Sequence, residues 1–241
     1  MCTLDVFIQG EKIDLLIPTK EFAYHSDWYS WFNNAKTTRY IHHGIYPNTR
    51  EKQLQFFENE NSKRLLLMVS DRKQIIGTIT LSKIDIYKRD AEIAVVFRED
   101  RSPKIAPLAA LESFALLLTH AFTSLPLERI WAPQHIDLHK WSARLALLGF
   151  RTEGIRRAAF VKGNQRADEI LIAVHKDDFV KIKEVRGGTL WDGEIKMLQR
   201  IRALPAKSNV ARLQEAFAQL EEYYHTIWEI SPIVVSCHGE Y

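Results

Sequence analysis

The chain has 241 residues, 46% hydrophobic and 26% charged, which is the balance of a soluble globular protein long enough to bury a sizeable core. Its net charge of +3 comes from lysines and arginines spread along the sequence, which leaves no footprint for nucleic acid. Two cysteines, Cys2 and Cys237, with no CxxC pair argue against a zinc site or a disulfide framework and make the cytoplasm the expected compartment. Apolar runs such as "FALLLTHAF" fall well short of the ~20 residues that span a bilayer. "MCTLDVFIQGEK" has no basic stretch leading into an apolar one, so neither a membrane span nor a signal peptide is expected.

In chain order, "LDVFIQG" and "KIDLLIP" alternate weakly around Gly10-Glu11 and predict a hairpin or a bent first strand. "FAYHSDWYSWFNN" predicts an aromatic-rich helix capped by Ser26 or Asp27, and "NTREKQLQFFENEN" a second one opened by Asn48 or Thr49. "RLLLMVS", "QIIGTITLSKID" and "AEIAVVF" follow with short joins, the pattern of an antiparallel meander. An apolar helix is expected from about Pro107 to Phe122, then the strand "ERIWAP", then a helix "DLHKWSARLALLG" capped by Asp137 and ended by Gly149. Two strands, "FRTEGIRRAAFV" and "RADEILIAV", close the pattern around a type I′-like turn at Gly163-Asn164, whose basic "VKGNQR" reads as solvated charge. Residues 1-179 thus form one α+β unit, and 180-241 a helical extension.

Within that extension, Leu190, Ile195, Leu198, Ile201 and Leu204 recur at helical spacing, as do Val210, Leu213, Phe217, Leu220, Tyr224 and Ile227. A two-helix hairpin is too small to bury such stripes alone. They pack on the α+β unit, on another chain as a homodimer contact (the favoured reading), or as a lid over a site on that unit.

Several segments, taken in order, resemble the GCN5-related N-acetyltransferase (GNAT) superfamily over roughly Lys12 to Phe179. "IIGTITLSKIDIYKRDAEIAVVF" is similar to its paired third and fourth strands, "SARLALLGFRTEG" to its helix-to-strand junction, and "RRAAFVKGNQRADEILIAV" to its closing hairpin. "WFNNAKTTRYIH" is similar to a segment of members that modify ribosomal proteins or nucleotide-linked amino sugars. The resemblance implies a mostly antiparallel mixed sheet, flanked by helices and splayed between its fourth and fifth strands, where an acyl-CoA binds. It places Val95, Val96 and Phe97 along the acyl-CoA, with a backbone N–H on the thioester carbonyl. The pyrophosphate then falls on "RSPKIAP", through Arg101, Lys104, Ile105 and Ala106 at a helix start. Lys104 stands where the family has its first glycine. His139 replaces an asparagine three residues before Ser142, both on the cofactor side, and Ala146 replaces a tyrosine that protonates the leaving thiolate.

The acceptor side carries the remaining candidates. Glu92 is either the base that takes the amine's proton or a solvated partner of Lys88 or Arg89. His25 has the right chemistry for a base near neutral pH, and His42 and His43 lie in the same stretch. Trp31, Asn33, Arg39, His42 and Asp168 are candidates for acceptor binding, with Arg39 suited to a phosphate. The expected activity is N-acylation of a small-molecule amine by acetyl-CoA or a longer acyl-CoA, without metal, nucleic acid or membrane. A nucleotide-linked amino sugar is the first choice of acceptor and a protein N-terminus the second. A non-catalytic module that keeps the fold is the reading from another class.

Overall fold

The computed structural model describes residues 4–99 and 108–230. One eight-stranded sheet organises them, in the order β1-β2-β3-β4-β5-β6-β8-β7. Val6–Gln9 (β1) and Asp14–Leu16 (β2) pair antiparallel, and β2 joins the meander of Leu65–Ser70 (β3), Ile75–Asp85 (β4) and Asp90–Phe97 (β5). β3 is apolar at nearly every position because both its faces are covered. Leu67 and Val69 join one core, and Leu66 and Met68 the other.

The first core packs around α4 (Ala109–Ser124), which is buried over most of its surface. The second lies under three short helices on the opposite face: α1 (Lys20–His25), α2 (Trp28–Trp31) and α3 (Arg50–Glu60). The aromatic-rich stretch is therefore two helices, where one was expected. Thr19 caps α1, its hydroxyl accepting from Phe22 N at 3.1 Å. Ser26 ends that helix and its hydroxyl accepts from Trp28 N at 3.2 Å. Asp27 caps nothing with its side chain and pairs instead with Arg98 at 2.8 Å. Thr49 caps α3 as expected, accepting from Lys52 N at 3.3 Å.

After α4 the chain enters β6 (Arg129–His135), a 3-10 turn at Ile136–Leu138, α5 (His139–Leu145) and a second 3-10 turn at Ala146–Leu148. The expected cap, Asp137, does not act through its carboxylate. His135 Nδ1 accepts from Asp137 N at 3.2 Å in its place. Gly149 ends the helical run with φ +96°, a left-handed conformation open to a residue without Cβ. β7 (Arg151–Lys162) and β8 (Gln165–His175) then form the long closing hairpin. Only Gly163 takes positive φ in its turn (+56°), whereas type I′ needs it at both central residues, so a glycine-first turn replaces the I′ geometry expected.

α6 (Lys176–Val185), α7 (Glu194–Arg202) and α8 (Asn209–Trp228) follow. Leu190, Met197 and Val210 are fully buried in the α4 core, so this part packs in cis. The inner face of α7 is shifted from the expected stripe: Met197 is buried and Ile195 lies outside. Glu11 in the β1–β2 turn ties the segment down, its Oε2 accepting from Trp191 Nε1 and Glu194 N at 2.9 Å each. Beyond Val210, α8 presents Phe217, Leu220, Tyr224 and Ile227 to solvent, each 40–47% exposed.

Candidate active site

β5 and β6 are the one parallel pair among the described strands, and they are joined over three rungs, Asp90–Arg129, Ala91–Ile130 and Glu92–Trp131. β5 continues to Phe97 and β6 to His135, but the ladder between them stops at the third rung. The sheet therefore opens into a fork whose crotch is Glu92 and Trp131. Such an opening offers backbone donors and acceptors to a chain inserted between the strands.

Strand alternation sets what faces the fork. Ala91, Ile93, Ile130 and Ala132 point into the α4 core, so Glu92 and Trp131 point to the face covered by α1–α3. Val95 packs towards the α4 core and Val96 towards the second core, both partly buried, with Phe97 beside Val95 on the first. The Glu92 carboxylate is approached by Lys83 Nζ at 2.6 Å, and the same ammonium lies 5.1 Å from the centre of the Trp131 ring. Lys83 reaches there because β4 bulges between Ser82 and Asp85 and Lys83 takes φ +50°. The partner of Glu92 is thus Lys83, and not Lys88 or Arg89: Lys88 pairs with Asp85, and Arg89 with Glu128.

The other candidates are distributed. His25 is exposed at the end of α1, edge-on to Tyr24, and its carbonyl accepts from Arg50. No described contact joins it to Glu92. Trp31 is buried under the Arg98 guanidinium. Asn33 clamps a loop, bonded through its amide to the backbone N and O of Asn48 at 2.7 and 2.9 Å. Arg39 lies exposed over Tyr40. Asp168 Oδ1 accepts from Ala158 N at 2.8 Å, which pins a bulge in β7 where Ala158 takes φ +51°.

On the donor side, the Ser142 hydroxyl donates to Gln134 Oε1 at 2.6 Å. Ser142 and His139 line a cleft of about 110 Å³ that also involves Leu204 of the α7–α8 connection and Val210 of α8. Arg101, Lys104, Ile105 and Ala106 lie outside the described residues.

What sequence reading did not assemble is a cluster on the wall of the fork. His135 packs at a tilt against Tyr40 at 4.9 Å and meets Phe160 edge-on at 4.7 Å. His42 stacks on Phe160 at 5.0 Å, with its Nε2 3.8 Å from the buried Glu169, which Arg156 also pairs. Lys162 holds the wall in place. Its Nζ donates to the carbonyls of Thr38, Ile41 and His43 at 2.6, 3.2 and 2.6 Å, and burial pushes its pKa down. The lysine read as solvated charge is therefore an anchor between the β7–β8 hairpin and the 38–43 loop. Its partners are carbonyls more than a hundred residues away, which no local pattern reveals.

The acetyltransferase (GNAT) domain profile matches residues 18–151, more than half of the chain. The chain belongs to the GNAT acetyltransferase family. Membership carries N-acetyl transfer from acetyl-CoA, and the parallel, forked β5–β6 pair is the family's fold. No curated protein matches in sequence at a significant level. Among solved structures, a spermidine N-acetyltransferase from Vibrio cholerae in complex with CoA and spermine has a TM-score of 0.62 at 17% identity, covering 70% of this chain and 98% of its own. RimL, a ribosomal L7/L12 alpha-N-protein acetyltransferase in complex with coenzyme A, reaches 0.63 at 13%, covering 72% and 99%. The Microcin C7 self-immunity acetyltransferase MccE, in complex with acetyl-CoA and AMP, reaches 0.58 at 20%, covering 69% and 93%. Those domains are matched almost whole, while more than a quarter of this chain lies outside the match.

Proposed function

We propose that this acyltransferase acts on the amine of a small, anionic or neutral acceptor, with a nucleotide-linked amino sugar as the first choice. The observation that supports it is the charge balance on the acceptor face. Glu92 and Glu169 are already matched by Lys83 and by Arg156, while Arg39 stays exposed. Such a face offers no net negative field to a polycation and suits a phosphate-bearing acceptor.

In the proposed reaction the neutral amine attacks the thioester carbonyl carbon. A C–N bond forms, the C–S bond breaks, and the nitrogen's proton passes to the Glu92 carboxylate directly or through water. A backbone N–H of the Val95–Val96 stretch stabilises the charge developing on the carbonyl oxygen. The thiolate leaves unaided or takes a proton from water, which a thiol pKa near ~8.5 permits. The thioester is already activated, so positioning supplies most of what remains. Ala146 leaves room beside the thioester for donors longer than acetyl.

Thiol release measured across amines and acyl-CoAs tests this reading. Turnover is expected with nucleotide-linked amino sugars above spermidine and above peptides with a free N-terminus. A peptide preferred over every amino sugar would move the assignment to protein N-termini. No thiol release with any acceptor, together with no heat on titration of acetyl-CoA, would leave a binding module.

A further inference from the structure

Between the 42–48 loop and α3 lies a pocket of about 390 Å³, walled by Phe32, His43, Tyr46, Gln53 and Phe56. Gln53 is 2% exposed, and its orientation is fixed from outside. Its Oε1 accepts from Asn48 Nδ2 at 2.8 Å. Asn48 is itself held by Asn33 and by the Tyr29 carbonyl. The amide oxygen is therefore spent, and Gln53 Nε2 is left buried without a partner among the described residues. A buried donor in that condition is costly unless something that enters the pocket accepts from it.

The rest of the lining narrows what enters. The walls are flat and apolar, with the His43 ring 5.1 Å from Phe32. His43 has an exposed edge, yet desolvation around the rest of its ring, then the charges of His42, Lys162 and Arg64, hold its pKa below the usual range, so it is neutral at pH 7. Among the described residues no carboxylate lines the pocket. Lys52 stands at its rim, with Nζ on the Pro47 carbonyl at 3.0 Å. A planar, uncharged ring with a carbonyl acceptor, attached to something anionic outside, fits these surroundings. The pocket shares a wall with the aromatic cluster beside the fork. His42 lines it and stacks on Phe160, which meets His135, four residues along β6 from Trp131.

We infer that this pocket is the nucleobase subsite of the acceptor, taking a base with a ring carbonyl, such as uracil or guanine, that accepts from Gln53 Nε2. The inference rests on the nucleotide-linked reading above. The test uses calorimetric titration of the full chain with UDP, GDP, ADP and inorganic pyrophosphate. UDP or GDP is expected to bind about tenfold or more tightly than ADP or pyrophosphate, the scale of one buried hydrogen bond with the ring contact.

Gln53→Glu keeps the oxygen that Asn48 needs and removes the donor. It should weaken UDP about tenfold or more while changing ADP by less than about twofold, which separates a lost donor from charge repulsion. Ile45→Trp, at an exposed position of the lining, fills the pocket without touching Gln53 and should also abolish UDP binding. Equal UDP affinity in Gln53→Glu and the native chain, equal affinity for ADP and UDP, or no nucleotide binding would each overturn the subsite. UDP binding lost in Gln53→Glu, with no amino sugar acylated, would uphold the subsite and sink the acceptor assignment. Acylation of free amino sugars without nucleotide binding would overturn the subsite and leave the transfer chemistry standing.

Discussion

Glu92 holds the last rung before the sheet opens, and a carboxylate there is both fixed by the ladder and turned to the acceptor face. Glu92→Gln preserves the rung and removes the base, so kcat should fall by about 10²-fold with the donor KM little changed. An unchanged kcat in single-turnover assays would show that the amine loses its proton to solvent. Lys162 acts at the same scale but through position. Lys162→Met removes three hydrogen bonds to the 38–43 loop. The expected outcome is an acceptor KM raised about tenfold, with the donor KM unchanged, because only the acceptor wall is loosened. Steady-state kinetics with each substrate varied in turn distinguish this from general loss of fold, which would lower the active fraction and leave both KM values alone.

At the scale of elements, α7 is tied to the turn before it by Asp192 and Arg200, which pair through both oxygens at 2.5 and 2.6 Å. The Arg200 hydrogen bonds hold the Asp192 carboxyl below its usual pKa. A depressed carboxylate stabilises the fold above the unfolded value of ~3.9, and that contribution is lost as pH falls through the lower folded value. Asp192→Asn should therefore cost about 1.5–3 kcal/mol near neutral pH, measured by urea unfolding, and progressively less below about pH 4. A difference that stays constant down to pH 2 would rule out the ion pair as its source.

α8 is the other element of the extension to test. A chain ending after Leu213 keeps Val210 in the core and should stay folded, whereas one ending near Asp178 exposes the sites that Leu190 and Met197 fill. If the exposed stripe pairs two copies, light scattering should give the full chain about twice the mass of the shorter one; equal masses would remove α8 from assembly. The order of strands and long helices was legible because each carries its own periodicity. The caps at Thr19 and His135 and the inner face of α7 were not: short turns and a Met-for-Ile choice are decided by tertiary contacts. The acceptor wall was legible only as isolated histidines. Its members stand at positions 40, 42, 135, 160 and 169, and meet because the β7–β8 hairpin folds over the 38–43 loop.

For the molecule as a whole, the α4 core is closed by residues that come late. All eight strands are complete at His175, yet Leu190, Met197 and Val210 occupy the same apolar layer as β1–β8. Protein synthesis is vectorial, so the nascent chain carries a finished sheet with an uncovered greasy side while the next ~35 residues are made. At ~5–20 residues per second that interval lasts about 2–7 s, time enough for chaperone capture. Ribosome-stalled chains give the readout. Those with residues up to about 185 outside the exit tunnel should be cleaved readily by a pulse of protease, and those with residues up to about 215 outside should resist. Equal resistance in both would show that the sheet and α4 need no late cover during synthesis.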